Sequence, residues 1–385
     1  GLKPAAASAQ ALRRVSSDLA LTKDTYQSAE IRTDQQVQDY RHGVRSVDGT
    51  LQGEISPGTF DDFLDAALRR ARTVGVSAAA LSVTIAGTLN AYTITRGSGS
   101  YLTDGFKVGD LIRLSVGSLN AANINKNLLI TALTATIATV VVPNASAMVA
   151  EGPITGCTVA VQGKKTFVPT TGHTDISYAI EHWHSDIAQS ELFTGIKLDK
   201  ADIALPPTGL ATVAFDVMGQ NITTSTSRYG TSPTAATTKS VVAAVNGVLL
   251  VGGTQVAIVT GLNFSLDPTF TGDPVVGSNT VPNLFPGRVR VSGQLTAYFQ
   301  DATLRDLFVN ETESSLVVAL TSDNTATADA LVFVMPRIKV GGAQKNDGEI
   351  GIVQTLPFIA LYNTAGGTGI SSEATTISVQ DTAAP

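Results

Sequence analysis

The chain has 385 residues and a net charge of −6, and only 15% of its residues are charged, well under the usual quarter of a soluble domain. The length allows two or three domains. The mild acidity argues against a grip on nucleic acid through phosphates, which needs a basic excess. The single cysteine, Cys157, excludes an intrachain disulfide and a zinc site built on cysteines.

In chain order, residues 1–30 are Ala- and Ser-rich with few apolar anchors, the composition of an arm that orders on a partner. No charged segment followed by an apolar stretch opens the sequence, so no signal peptide is expected. Val47, Leu51 and Ile55 share one parity and predict a strand. Ser56-Pro57 reads as a helix start, with a capping hydroxyl and Pro at the first helical position. Phe60, Phe63, Leu64, Ala67, Leu68 and Ala71 follow at helical spacing. Asp61, Asp62 and Asp65 lie early and Arg69, Arg70 and Arg72 late, matching the helix dipole.

Residues 75–165 lose the helical signal. Six short apolar runs, separated by turns such as Gly97-Ser98-Gly99 and Asp104-Gly105, predict an inserted small β-barrel or sandwich. The run 128–142 is too short and too Thr-interrupted to cross a bilayer as a helix, and reads as two strands. Cys157, within this block, reads as a small buried hydrophobe. Two alternating strands follow at 197–205 and 211–218, joined by Pro206-Pro207-Thr208-Gly209. Residues 222–255 read as a Ser/Thr-rich linker. The tail, 364–385, is Gly/Thr/Ser-rich and expected to dock on a neighbour or stay loose.

One pattern is written twice. Residues 47–64 (VDGTLQGEISPGTFDDFL) and 291–308 (VSGQLTAYFQDATLRDLF) align without a gap. Val47/Val291, Gly49/Gly293, Leu51/Leu295, Thr59/Thr303 and Asp62/Asp306 are identical, and Ile55/Phe299 and Phe63/Leu307 stay apolar. A repeat marks a unit that needs copies of itself to bury its face. The expected fold is therefore mainly β: a duplicated sandwich or barrel unit, each half carrying one flanking helix. The first unit is discontinuous, 31–74 plus 166–221, around the insertion 75–165, and the second spans 256–363.

Candidate chemistry is sparse. His182 and His184, two apart on a strand, point the same way and invite a metal, with Glu181 and Asp186 beside them. His42 and His173 lie in unrelated segments, so no third ligand is evident, and a polar patch anchored by Trp183 is the favoured reading. Gly97-Ser98-Gly99-Ser100 only superficially resembles a nucleophile turn, with no helix expected after it. Asp61/Asp62 and Glu311/Glu313 read as helix-terminal, solvated carboxylates. Gly163-Lys164-Lys165 is too short for a phosphate cradle. No catalytic, cofactor-binding or metal residue is expected, no cofactor, and no enzymatic activity.

The stretches 32–69, 172–219 and 288–320 resemble tail tube proteins of bacteriophages with long, flexible, non-contractile tails, and YLTDGFKVGDLIRLSV resembles the small β module these often carry. The resemblance implies a structural virion protein in stacked rings, whose inner strands form a barrel around a channel for double-stranded DNA, with each unit's helix outside. It implies partners: copies of the chain, a tape measure inside, terminator and tail-tip proteins at the ends, DNA as transiting cargo, and no membrane. It places the protein in the phage tail, assembled in host cytoplasm. Sixfold rings with one unit per position, and two units per chain, predict a trimeric, pseudo-sixfold ring. The arm, the linker and the tail are the expected links to the next ring. A baseplate hub or a capsid decoration protein on a related β fold is the alternative.

Overall fold

Strict alternation of apolar and polar side chains builds sheets with one wet face. In the computed structural model, which describes residues 9–143, 146–346 and 351–384, eight strands form one antiparallel row. Their order is Ala20–Gln27, Tyr40–Glu54, Thr212–Gly219, Gln189–Leu205, Val259–Asp267, Arg290–Tyr298, Val353–Ala360 and Ala330–Val340. The first four and the last four repeat one arrangement. Val47 faces Leu21 on one side and Gly219 on the other, as Val291 faces Leu266 and Ala360. Lys197 opposes Met218 as Lys339 opposes Ile359, and Asp202 opposes Ala214 as Gln344 opposes Thr355. Even the one-residue register slip after Leu198 recurs after Val340. The two units meet where 201–205 pairs with 262–266.

Val47, Leu51, Ile203, Phe215, Phe264, Val291, Leu295 and Phe358 point from the row into one core, which the helices close with Phe60, Phe63, Leu64 and Leu304. Each such side chain stabilises the fold by about 1.5–3 kcal/mol. The repeated glycine has a steric reason: a Cβ at Gly293 would lie 2.4 Å from the Asn263 carbonyl oxygen and 2.6 Å from the Phe358 ring. Gly293→Ala is expected to cost about 1–3 kcal/mol by overpacking, visible as a lower denaturant midpoint, and an unchanged midpoint would refute this account.

The insertion is a closed six-stranded barrel ordered Glu151–Val161, Ser77–Thr88, Ala91–Arg96, Ile137–Val141, Leu128–Leu133 and Leu111–Ser115. Cys157 is buried in its core. Its outer wall rests on Val317 and Val332 of the second unit and on Val248 and Leu250: Leu111, Leu129 and Val141 pack against all four. The latter two belong to a strand, Gly247–Val251, that lies in the stretch expected to be a linker and pairs with 316–320. Asn127 donates to the Ala328 carbonyl at 2.7 Å, and Lys107 to the Gly367 and Ile370 carbonyls at 2.6 and 2.7 Å. Lys165 clamps the base of the barrel, 2.6 Å from Asp110 and 3.3 Å from Glu373.

Three expectations about the first helix and the two ends of the chain change. The helix runs Asp61–Leu68, later than the Ser56-Pro57 signal, because Ser56 and Thr59 hydrogen-bond each other in a preceding turn. Its arginines do not serve the dipole. Arg69 is the left-handed cap and reaches the Gly287 and Pro268 carbonyls, Arg70 lies 3.7 Å from the Phe167 ring centroid, and Arg72 folds back onto Asp61 and Asp65. Second, Ser378–Asp381 is a buried strand of its own chain, between Lys164–Phe167 and Leu331–Val334. Its Ser, Gln and Asp hid it, yet the Gln and the Asp find partners far along the chain: the Gln380 amide bonds the Leu111 N–H and carbonyl at 2.8 and 2.9 Å, and Asp381 accepts from the Gly58 N–H at 2.7 Å. Third, 16–17 and 20–27 of the arm pair with the Tyr40–Glu54 strand, and Leu19 is buried. A strand with one wet face and an outer edge needs few apolar anchors. Residues 1–8 of the arm, 144–145 of the insertion, 347–350 of the second unit and 385 of the tail lie outside the described residues.

Candidate functional site

The face of the row turned from the core is a broad, organised polar surface. Strand alternation presents Asp48, Thr50, Gln52 and Glu54, then Thr212, Ala214 and Asp216, Lys200, Asp202 and Ala204, Asn263, Ser265 and Asp267, and finally Arg290, Ser292 and Gln294. A shallow trough of about 670 Å³ crosses the junction of the units, over Asp202, Asn263, Ser265, Ser292, Gln294 and Pro357. Its polar groups are knit together. Thr50 donates to Asp216 at 2.7 Å, Ser265 donates to Asp202, and Lys200 sits 2.7 Å from Asp202. The hydrogen bond to Asp202 raises the Lys200 ammonium's pKa and so holds its charge. Carboxylates at 48, 54, 202, 216 and 267 outnumber the bases Lys200 and Arg290 along these strands, with Lys339 beside Ile359 at the far end, a balance unfavourable to polyanions.

The residues singled out by chemistry do not assemble a site. His182 and His184 share the Tyr178–His184 strand, but His182 Nε2 lies 2.9 Å from Ser17 Oγ with its ring edge-on to Phe193, while His184 is 3.8 Å from Glu191. Burial and then Arg14 push the His182 pKa down, favouring neutral imidazole. Glu181 accepts from Ser190 and from the Tyr229 and Gly230 N–H groups, holding the 229–230 turn. His42 stacks edge-on with Tyr40, and His173 is exposed. Among the described residues no group of three His, Cys, Asp or Glu is placed to hold a metal.

Unlike the expectation, a one-turn helix, Tyr101–Asp104, does follow the Gly97–Ser100 turn, capped by the Ser100 hydroxyl. Ser98 contributes a carbonyl to Arg96 at 2.7 Å. Glu311 and Glu313 pair with Lys339 and Arg337 at 3.1 and 2.6 Å. Lys164 and Lys165 lie in a strand, not a cradle. Asp61 is not solvated. It is buried with Asp65 and Asp381, and Arg72 joins it to Asp65. No sequence signal marked Asp381, which sits 320 positions beyond Asp61 with only the fold to join them.

Paired β units, a satellite barrel and a broad acidic sheet face define a structural chain of the kind that builds assemblies. It matches the phage tail tube protein family over residues 2–360 and belongs to that family. No curated protein matches it. The protein is a structural component of a phage tail, mainly β, in which copies of the chain make a tube.

Proposed function

We propose that three copies close into a pseudo-sixfold ring, that rings stack into the tail tube, and that the acidic sheet face lines a channel for double-stranded DNA. One observation carries this: the eight-strand row runs unbroken through both units of one chain and leaves an unpaired edge at each end. The outer edge of Ala20–Gln27 and that of Gln344–Asn346 have no partner strand among the described residues. Closure into a barrel removes such edges. Three rows give twenty-four strands. A wall where carboxylates outnumber bases offers few phosphate contacts, so cargo passes without being held. The tape measure would fill the lumen before DNA, terminator and tip proteins would cap the ends, and assembly would take place in host cytoplasm.

End-on electron micrographs of concentrated protein test this. Rings or tubes with three strong outer lobes, one per inserted barrel, are expected around an open channel. Six lobes would overturn the trimer, and assemblies that stop at one or two rings would favour a hub.

A further inference from the structure

The junction between the two units inside one chain is a contact of which the chain also carries both unpaired halves. Within the chain, the edge 201–205 of the first unit receives the edge 262–266 of the second, with Ala201 opposite Leu266, Asp202 opposite Ser265 and Ile203 opposite Phe264. The loop 268–289 then folds over the first unit's rim. Phe270, Val281 and Leu284 pack against Val44 and Met218, and Lys197 donates to the Leu284 carbonyl at 2.7 Å. Lys197 is 5% exposed as a result.

The second unit has the same rim uncovered. Lys339 and Ile359 oppose each other as Lys197 and Met218 do, yet Ile359 is 58% exposed. Gln344–Asn346, in the place of 202–204, is exposed throughout. The first unit has the same edge and loop unemployed. Residues 16–22 run beside Tyr40–Glu54 as 261–267 run beside Arg290–Tyr298, with Leu19 and Leu21 in the places of Phe264 and Leu266. The turn 28–39 beyond them leaves Ile31 fully exposed and Val37 59% exposed.

We infer that copies join head to tail through a seam that repeats this internal junction, with Leu21 of one copy opposite Ala343 of the next, Ala20 opposite Gln344 and Leu19 opposite Lys345. The 28–39 turn then covers the neighbour's Lys339 and Ile359 as 268–289 covers Lys197 and Met218. The occupant is a second copy because the chain already seats an equivalent segment on an equivalent edge. A heterologous contact of this kind generates a closed ring when its rotation divides the circle. The inference rests on the ring reading and adds its register.

Cross-linking decides it. In a Cys157→Ala background, Ala20→Cys with Gln344→Cys is expected to give, on oxidation, a denaturant-resistant ladder ending at the trimer. Thr22→Cys with Gln344→Cys, two residues out of register, should yield about ten-fold less, because disulfides demand close Cα atoms. Ser265→Cys with Asp202→Cys, across the internal junction, should close within one chain and reports that folding is intact. Mixing the Ala20→Cys chain with the Gln344→Cys chain should give dimers that neither gives alone, which serves if the double variant folds poorly. Visible rings with no in-register product, or equal yields in and out of register, would overturn the seam and leave the ring standing. A folded chain with neither rings nor ladder would overturn both.

Discussion

Replacing Arg72 with alanine is expected to lower the free energy of unfolding by about 3–5 kcal/mol, the cost of stripping one partner from a buried charge cluster. Arg72 Nε lies 3.0 Å from Asp65, its terminal nitrogens reach the Asp61 carboxylate and carbonyl, and its own N–H donates to Asp65 at 2.9 Å. Asp381 enters the same pocket, accepting from the Gly58 and Ala383 N–H groups at 2.7 Å each. Equilibrium denaturation measures the loss, and a change under about 1 kcal/mol would mean the cluster is solvated. The cluster also sets a pH dependence. Burial, reinforced by Asp381, pushes the Asp61 carboxyl from 3.8 up to about 8 in spite of Arg72. The folded chain then holds a proton that the unfolded chain releases, so this contribution is full below the unfolded value and is lost as pH rises through about 8. Asp61→Asn removes the titration, and its midpoint should fall less than the wild type's between about pH 6 and about pH 9.

Ending the chain at Asn363 is expected to cost more still. It removes Ile377 and Val379, both fully buried, at about 1.5–3 kcal/mol each. It strips the central partner from two strands. It also orphans the Leu111 N–H and leaves Lys165 with one carboxylate fewer, at about 1–3 kcal/mol for each unsatisfied group. The sum exceeds about 5 kcal/mol, comparable with the whole stability of many domains. Limited proteolysis should release the 75–165 barrel intact while the remainder is degraded. A truncated chain as resistant as the full one would show that the tail strand is dispensable.

The sequence was most readable where one face is buried and the other wet. Val47, Leu51 and Ile55, or Ile203, Val213 and Phe215, announce themselves by parity, and the repeat by identities at Val47/Val291 and Leu51/Leu295. The barrel strands were legible because turns punctuate them. What escaped depends on polar groups satisfied at a distance. Gln380 and Asp381 look like a loose tail until Leu111 and Gly58 are seen to bond them. The arm strand escaped because an edge position demands only Leu19 and Leu21. Charge pattern misled at the helix: Arg69 and Arg72 sit where a dipole would place them, but their carboxylate and carbonyl partners hold them there. The candidate site is a face rather than a cluster, so no motif could have marked it. Its signal is the small and acidic residues at alternate positions along the row.

The barrel is threaded into the first unit but leans on the second, and this orders events at the ribosome. Its last strand, Glu151–Val161, is complete long before the platform strands Gly247–Val251 and Ser314–Thr321 exist. At about 5–20 residues per second, Leu111, Leu129 and Val141 wait on the order of ten seconds to half a minute as a bare greasy patch on a finished module. The nascent chain must be shielded through that interval, and the second unit acts as the lid that ends it.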